Sequence, residues 1–112
     1  MARERLARGK KGSRRLMVAA VVALGAAVGG CGNTLYAIQA NSASSKLAEA
    51  QELGAEKLAP YEYYYAKAHM EKAQEEAAAA DYGDAANLAE VAEEYADKAI
   101  RLTREAHRGG GR

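Results

Sequence analysis

From residue 37 onward, apolar and small residues recur at alternating steps of three and four, the spacing that places side chains on one face of an α-helix. Three stretches carry this pattern. Their stripes are Ala40, Ala43, Leu47, Ala50, Gly54 and Leu58; Tyr63, Ala66, Met70, Ala73, Ala77 and Ala80; and Ala85, Leu88, Ala92, Tyr95, Ala99, Leu102 and Ala106. The pattern predicts helices at about residues 37–58, 60–80 and 85–107, within an Ala-rich helical domain at 37–108.

Local signals indicate where these helices end. Pro60 suits the first position of a helix, and the preceding Ala59 is biased away from helical backbone. In the turn after the second helix, Gly83 is expected to take a positive φ, and Asp84 is expected to cap the third helix. Residues 109–112, three glycines and an arginine, are expected to form a flexible tail.

Composition favours an all-α fold class. The chain has 112 residues, of which 28 are alanine, and it contains no Phe and no Trp. A short turn makes the second and third helices antiparallel neighbours, so we predict an antiparallel helical hairpin or a three-helix bundle after an N-terminal signal segment. Residues 31–112 hold only ten Leu, Ile, Val or Met residues besides seven Tyr. Because so thin a core is marginal against conformational entropy, self-association, a partner or the membrane is expected to add stability.

The first thirty residues have a different character. They carry seven basic side chains and one acidic one, whereas residues 31–112 carry nine basic and fourteen acidic ones. The basic stretch precedes fifteen uncharged residues at 16–30. This order is typical of a secretory signal peptide, predicted here as residues 1–30. Fifteen helical residues span roughly 22 Å, which is less than the roughly 30 Å hydrocarbon core. A permanent membrane span is therefore the less favoured alternative to a signal peptide.

The junction Val28-Gly29-Gly30-Cys31 resembles the lipobox of bacterial lipoproteins. The resemblance implies transfer of a diacylglyceryl group to Cys31, cleavage between Gly30 and Cys31, and N-acylation of the new amino terminus, for example with palmitate. Residues 31–36 are then a lipidated cysteine and a tether, although the small polar residues at 32–45 also fit the frayed start of a helix. Apart from these covalent acyl groups, no cofactor is expected. The alternative is that Cys31, the only cysteine, is a buried or idle thiol, since it has no partner for an internal disulfide.

Neighbouring residues bear on the route and destination of export. Ser13-Arg14-Arg15 before Leu16 resembles a twin-arginine signal, so general and folded export both stay open. Gly32 occupies the position after the cysteine, where enteric lipoproteins that are retained in the inner membrane have Asp. The expected location is therefore the bacterial cell envelope, at the periplasmic face of the outer membrane.

The segments Ala59-Pro60-Tyr61-Glu62-Tyr63-Tyr64-Tyr65-Ala66 and Ala80-Asp81-Tyr82-Gly83-Asp84-Ala85-Ala86-Asn87-Leu88-Ala89 resemble the bacterial envelope family described as domain of unknown function 4398. The resemblance covers roughly residues 37–106, and many members of that family are small lipoproteins. It implies a periplasm-facing helical domain with no established activity and no catalytic residue. The same turn is similar to half of a tetratricopeptide repeat, which implies helix-hairpin geometry, because a single repeat does not make a stable solenoid.

Few residues suggest catalytic or metal chemistry. His69 and His107 are the only histidines, and no HExxH motif or Cys/His cluster accompanies them, so neither an enzyme nor a metal site is predicted. Carboxylate pairs such as Glu75-Glu76 fit a solvated helix face better than a general acid and base. The basic residues between 3 and 15 are explained by the signal segment, so no nucleic-acid partner is expected.

Tyr61, Tyr63, Tyr64 and Tyr65 stand together at the start of the second predicted helix. At roughly 100° per residue they spread around most of the helix, so all four cannot face one core. One interpretation is that two pack inside and two lie half-exposed. The other is an aromatic patch that contacts a partner, because Tyr offers a large contact area at low entropic cost.

Together these observations predict a lipid-anchored, periplasm-facing helical protein that acts as a structural or protein-interaction module of the bacterial envelope. Its expected partners are the bilayer, through acylated Cys31, and either an envelope protein or a second copy of itself. The alternative is a single-span inner-membrane protein whose periplasmic helical domain serves as an assembly factor.

Overall fold

The computed structural model describes the backbone of residues 2–111 and the side chains of residues 12–20 and 31–111. Four helices follow one another, and no strand occurs within residues 2–111. The helices are α1 (Ala2–Glu52), α2 (Ala55–Leu58), α3 (Pro60–Ala78) and α4 (Tyr82–Gly110). The predicted all-α class is confirmed.

The chain divides into two compact units, Met1–Cys31 and Gly32–Arg112. We call the second the bundle unit. In the first unit, Leu16, Met17 and Val18 are largely exposed. No helix within the described part of the chain is both long enough and apolar enough to span a bilayer. The side chains of residues 21–30, which hold most of the lipobox-like junction, lie outside the described residues.

Two apolar clusters hold the bundle unit together. The larger one is centred on Tyr63 and Ile100 and joins α2, α3, α4 and the end of α1. Its buried members are Ala50, Ala55, Ala59, Tyr63, Ala99 and Ile100, with Leu47, Leu53 and Leu102 packed against them. The smaller cluster joins Ala43 of α1, Met70 of α3 and Ala92 of α4. Since both clusters draw on α1, α3 and α4, these helices form the three-helix bundle, in which α3 and α4 are the antiparallel hairpin.

Polar contacts fasten α1 to α4 at the rim of these clusters. The ammonium group of Lys46 pairs with Glu93 at 2.8 Å and with Asp97. One turn further along, Arg104 of α4 pairs with Glu49. These ion pairs join α1 to α4, so they fix the register of the two helices. Alanine side chains alone would allow several registers.

The predicted first helix, 37–58, is wrong as a single element. α1 ends at Glu52, and Gly54 adopts a left-handed backbone with φ 87° before α2 begins at Ala55. Glycine has no Cβ to oppose this conformation, so the chain bends there instead of continuing as a weakened helix. His107 of α4 lies against this bend, with Nε2 2.8 Å from the Leu53 carbonyl oxygen. The bend brings Ala55 into the larger cluster.

Pro60 begins α3 as predicted, and Ala59 before it is non-helical, with φ −140° and ψ 57°. The residues of the next turn have other roles than expected. Ala80, with φ 62°, takes the left-handed conformation predicted for Gly83. The Ala80 N–H donates to the Ala77 carbonyl at 3.0 Å and the Asp81 N–H to the Glu76 carbonyl at 2.9 Å, which is a Schellman end for α3.

The cap of α4 is likewise three residues earlier than predicted. The Asp81 carboxylate, not Asp84, caps the helix by accepting the Asp84 N–H at 3.3 Å. α4 therefore starts at Tyr82, and Gly83 lies within its first turn. A run of four alanines before Asp81 contains no glycine, so the closing residue could not be identified from residue preference.

Both ends of the predicted domain are more helical than expected. Residues 31–36, predicted as a tether, belong to α1. Within this stretch Tyr36 contacts Tyr82, with ring centroids 6.4 Å apart, so a tertiary contact orders residues whose composition suggested a linker. The predicted tail 109–112 is also shorter, because α4 continues to Gly110 and Gly111 follows as its C-cap. Extending a formed helix adds one hydrogen bond per residue, which offsets the low helix propensity of glycine.

Candidate functional site

The four clustered tyrosines separate into different environments. Tyr63 is 4% exposed, whereas Tyr61 and Tyr64 are 65% and 52% exposed. Tyr65 is half-buried. The helical spread of about 100° per residue accounts for this division, because Tyr63 faces the larger apolar cluster and the others cannot. The four tyrosines therefore do not form one patch.

Tyr63 belongs to the interior. It packs among Ala59, Ala99 and Ile100, and its ring meets that of Tyr64 edge-on at 5.1 Å. Burial raises the pKa of the Tyr63 hydroxyl above its ordinary value, and the charge and hydrogen bond of Glu56 raise it further. Tyr63 thus links α3 to α2, which makes it a structural residue.

Tyr61 and Tyr65 instead join residues that sequence reasoning did not assign to any patch. Tyr65 lies 4.2 Å from Tyr95 of α4 and stacks on His69 at 4.1 Å, measured between ring centroids. Tyr61 lies 5.7 Å from Tyr65 and 6.4 Å from Tyr95. We call these four residues, Tyr61, Tyr65, His69 and Tyr95, the aromatic surface.

Lys98 completes the edge of the aromatic surface. Its ammonium nitrogen lies 4.3 Å from the centroid of the Tyr95 ring, within the range of a cation–π contact. Lys98 also pairs with Glu94 one turn earlier at 2.8 Å, and the hydrogen bond to Glu94 raises the pKa of Lys98. A fixed positive charge therefore borders a half-exposed group of rings.

A counting signal could have found the partner of Tyr65. In an antiparallel hairpin, residues at equal distances from the turn face each other, and Tyr65 and Tyr95 each lie fifteen residues from Ala80. The same rule pairs His69 with Val91. The stripe of the third predicted helix contains Tyr95, but this pairing is counted from Ala80, whereas the predicted left-handed residue of the turn was Gly83.

His69 connects the aromatic surface to a cavity between α3 and α4. Its Nδ1 lies 2.9 Å from the Tyr65 carbonyl oxygen, which only accepts, so Nδ1 carries the hydrogen and donates. The cavity has a volume of about 300 Å³ and is lined by His69, Glu76, Asp84, Asn87, Leu88 and Val91. His69 therefore belongs both to the aromatic surface and to the lining of the cavity.

Cys31 is exposed and takes no part in a disulfide. It is the last residue of the first unit, directly before Gly32 of the bundle unit. Gly30, on the other side of the predicted cleavage site, belongs to the range 21–30 whose side chains are not described. An exposed thiol differs from the buried one that the alternative interpretation allowed.

Within the described residues, no group of three or more His, Cys, Asp or Glu side chains is arranged to hold a metal ion. The two histidines lie in separate places, His69 on the aromatic surface and His107 at the Leu53 carbonyl. Each has its own hydrogen-bond partner on a backbone carbonyl, so each already contributes to the fold.

Residues 39–108 match the family described as Domain of unknown function (DUF4398). A search of curated proteins and a search of solved structures give no match. The matched range contains both apolar clusters, the aromatic surface and the cavity, and it covers more than half of the chain. The resemblance inferred from the Pro60 entry and the Asp81-Tyr82 turn is confirmed. This protein belongs to the DUF4398 family.

Proposed function

We propose that this protein is a lipid-anchored structural or protein-interaction module of the bacterial envelope, held at the periplasmic face of the outer membrane by acyl groups on Cys31. The exposure of Cys31 directly before the bundle unit carries the proposal. A thiol that accepts a diacylglyceryl group must be accessible to the transferase, and an anchor at this position leaves the folded unit outside the bilayer.

The membership of the two apolar clusters in the bundle unit supports the proposal. Among the described residues, its apolar clusters are built from Ala40 and later residues. Cleavage between Gly30 and Cys31 would therefore keep every described member of both clusters. A processed chain keeps all three helices of the bundle, with the acyl chains at the start of its first helix.

The aromatic surface supports the interaction role. Partner-binding surfaces are enriched in Tyr and Arg, because these side chains give large contact areas. Tyr61 is largely exposed although its neighbours Tyr65 and Tyr95 are half-buried, so a partner that covers Tyr61 meets rings that are already held in place. Such preorganisation lowers the entropic cost of binding.

The anchor is tested by metabolic labelling of cells with radioactive palmitate, with and without globomycin, which inhibits the lipoprotein signal peptidase. We expect label on the wild-type chain, loss of the label in Cys31→Ser, and accumulation of an unprocessed precursor in globomycin. A matched control carries Cys31→Ser together with Ala48→Cys, which restores an exposed thiol at another site of α1. Label on that control, or a wild-type chain found only at precursor length, would contradict the anchor; the second result favours the single-span alternative.

The interaction role is tested by a photoreactive amino acid placed at Tyr61 in intact cells, with the same residue at Tyr64 as the matched control. Both positions are exposed, but Tyr64 lies outside the aromatic surface. We expect a single adduct of defined mass from position 61 that weakens when Tyr95 is changed to Ala. Equal adducts from both positions, or none from either, would argue against the aromatic surface as the contact.

A further inference from the structure

We propose that the first two turns of the bundle unit, residues 32–38, dock on the lipid surface, with Leu35 and Ile38 inserted at the boundary between headgroups and acyl chains. The inference rests on the proposed lipid anchor at Cys31 and extends it, because it assigns a membrane-contacting surface to the folded protein itself. Three observations in this part of α1 carry it.

The first observation is an apolar pair that the fold leaves uncovered. Leu35 and Ile38 are 53% and 62% exposed. They are three residues apart, so they share one face of α1. The next residues along the helix behave differently, since Ala40 and Ala43 belong to the smaller apolar cluster. Packing among the described residues therefore does not account for Leu35 and Ile38, the two largest aliphatic side chains of residues 32–38.

The second observation is the absence of charged residues in the stretch of sequence that contains this pair. Residues 31–45 contain no Asp, Glu, Lys, Arg or His, and Lys46 is the first charged residue after Cys31. Elsewhere in the bundle unit, charged residues occur in nearly every helical turn. Charged groups are costly to bring into contact with lipid, whereas Asn, Gln, Ser and Thr are tolerated among headgroups.

The third observation is a pair of tyrosines at the same end of the bundle. Tyr36 of α1 and Tyr82 at the start of α4 are both half-buried, with ring centroids 6.4 Å apart. Tyr is enriched at the level of lipid headgroups, where its ring faces the acyl chains and its hydroxyl faces water. Asp81 and Asp84 also lie near this end, so the surface that suits it is zwitterionic rather than anionic.

The dimensions fit such docking. Gly32 is bonded to the acylated residue, and Ile38 lies six residues further, about 9 Å along the helix at 1.5 Å per residue. An amphipathic segment inserts about 5–10 Å into the boundary of headgroups and acyl chains. Once the acyl chains hold Cys31 at the bilayer, Leu35 and Ile38 are both within reach of it, whether this part of the helix lies flat or stands upright.

The chain contains no Trp, so a single introduced Trp reports its own surroundings. Leu35→Trp and Ile38→Trp variants, purified as the mature acylated protein, are reconstituted into phosphatidylcholine–phosphatidylethanolamine vesicles that contain brominated lipid. We expect blue-shifted emission and quenching by the brominated lipid at both positions. The matched control is Tyr64→Trp, at an exposed site of α3, which should be neither shifted nor quenched.

The acyl state of Cys31 is read by mass spectrometry on the same samples, which separates the two proposals. An acylated sample of the Ile38→Trp variant whose emission is not quenched overturns the docking and leaves the anchor intact. An unacylated Cys31 overturns the anchor and, with it, this inference. A blue shift that needs no lipid and rises with protein concentration shows that a second copy covers the pair, which also overturns the docking. Unchanged helical circular dichroism verifies that each variant is folded.

Discussion

The interior of the bundle and its aromatic surface use opposite kinds of side chain. Among the described residues, twelve of the fifteen buried apolar residues are alanine, and the others are Tyr63, Met70 and Ile100. The aromatic surface, in contrast, places three of the seven tyrosines where they stay partly accessible. The largest side chains of the bundle are thus mostly outside its core.

Under the proposed interaction role, stability would depend on the interior and recognition on the aromatic surface. Alanine allows helix axes to approach closely, but each buried alanine removes little apolar area from water. The few large interior residues therefore carry a disproportionate share of the stability. Tyr61 is 65% exposed, so Tyr61→Ala is expected to cost little stability, whereas the half-buried rings of Tyr65 and Tyr95 also pack α3 against α4.

The largest expected effect is at Tyr63, and the adjacent Tyr64 is its matched control. Tyr63→Ala should lower the free energy of unfolding by about 3–5 kcal/mol, the cost of removing a buried aromatic ring. Tyr64→Ala should cost less than about 1 kcal/mol, because that ring is half outside the protein. Urea unfolding followed by circular dichroism measures both. Equal losses would mean that the interior and the surface are not distinct at this turn.

The next effect tests whether the interior needs small residues. Ala92→Leu should destabilise the bundle by about 1–3 kcal/mol, because Ala92 is fully buried between Ala43 and Met70 and the larger side chain forces the helices apart. Ala48→Leu on the exposed face of α1 is the control and should be nearly neutral. A stabilised Ala92→Leu protein would show instead that the interior is underpacked.

A smaller change concerns Thr103, a polar residue that is fully buried. The hydroxyl of Thr103 is fully buried and, among the described atoms, has no hydrogen-bond partner. Thr103→Val keeps the shape and removes this hydroxyl, so it should stabilise the protein by about 1 kcal/mol in thermal unfolding. Thr103→Ser keeps the hydroxyl and loses the methyl, and a gain in stability there would contradict the argument.

The smallest effect lies at the rim, in the contact between α1 and α4. Hydrogen bonds from Lys46 and then Ser42 lower the pKa of Glu93, and hydrogen bonds to Asp97 and Glu93 raise the pKa of Lys46. Stability from Glu93 is present above its unfolded pKa, about 4.3, and is lost as pH falls through the lowered folded value. Stability from Lys46 is complete below its unfolded pKa, about 10.4, and is lost as pH rises through the raised folded value.

Lys46→Met should therefore reduce stability by less than about 1 kcal/mol on the plateau between those two pH values. It should make both flanks shallower, while the Ser42–Glu93 hydrogen bond and Lys98 keep part of each flank. Chemical unfolding across this pH range measures the effect. Lys67→Met, at an exposed lysine of α3, is the control and should leave the profile unchanged. A flank as steep in Lys46→Met as in the wild type would assign the pH dependence to other groups.

Much of this fold was accessible from local pattern. Pro60 marked the start of α3, and the three- and four-residue stripes identified Ala43, Met70 and Ala92 as interior. The bend at Gly54 and the left-handed Ala80 were not accessible, because each depends on what the chain contacts next rather than on the residue alone. For the tyrosine cluster, the split between buried and exposed rings follows from helix geometry, whereas pairing Tyr65 with Tyr95 also requires Ala80 as the turn residue, which residue preference did not identify.

Helix periodicity, alanine content and charge are properties of neighbouring residues, so they already indicate a helical protein with a separate basic and apolar first segment. The family follows from the resemblance at the Pro60 entry and the Asp81-Tyr82 turn. The packing of the helices is needed to see that Tyr95 completes the aromatic surface, that Lys46 and Arg104 hold α1 against α4, and that Leu35 and Ile38 are exposed. These features depend on helix register, and alanine-rich faces fit together in several registers until a few large or charged side chains select one.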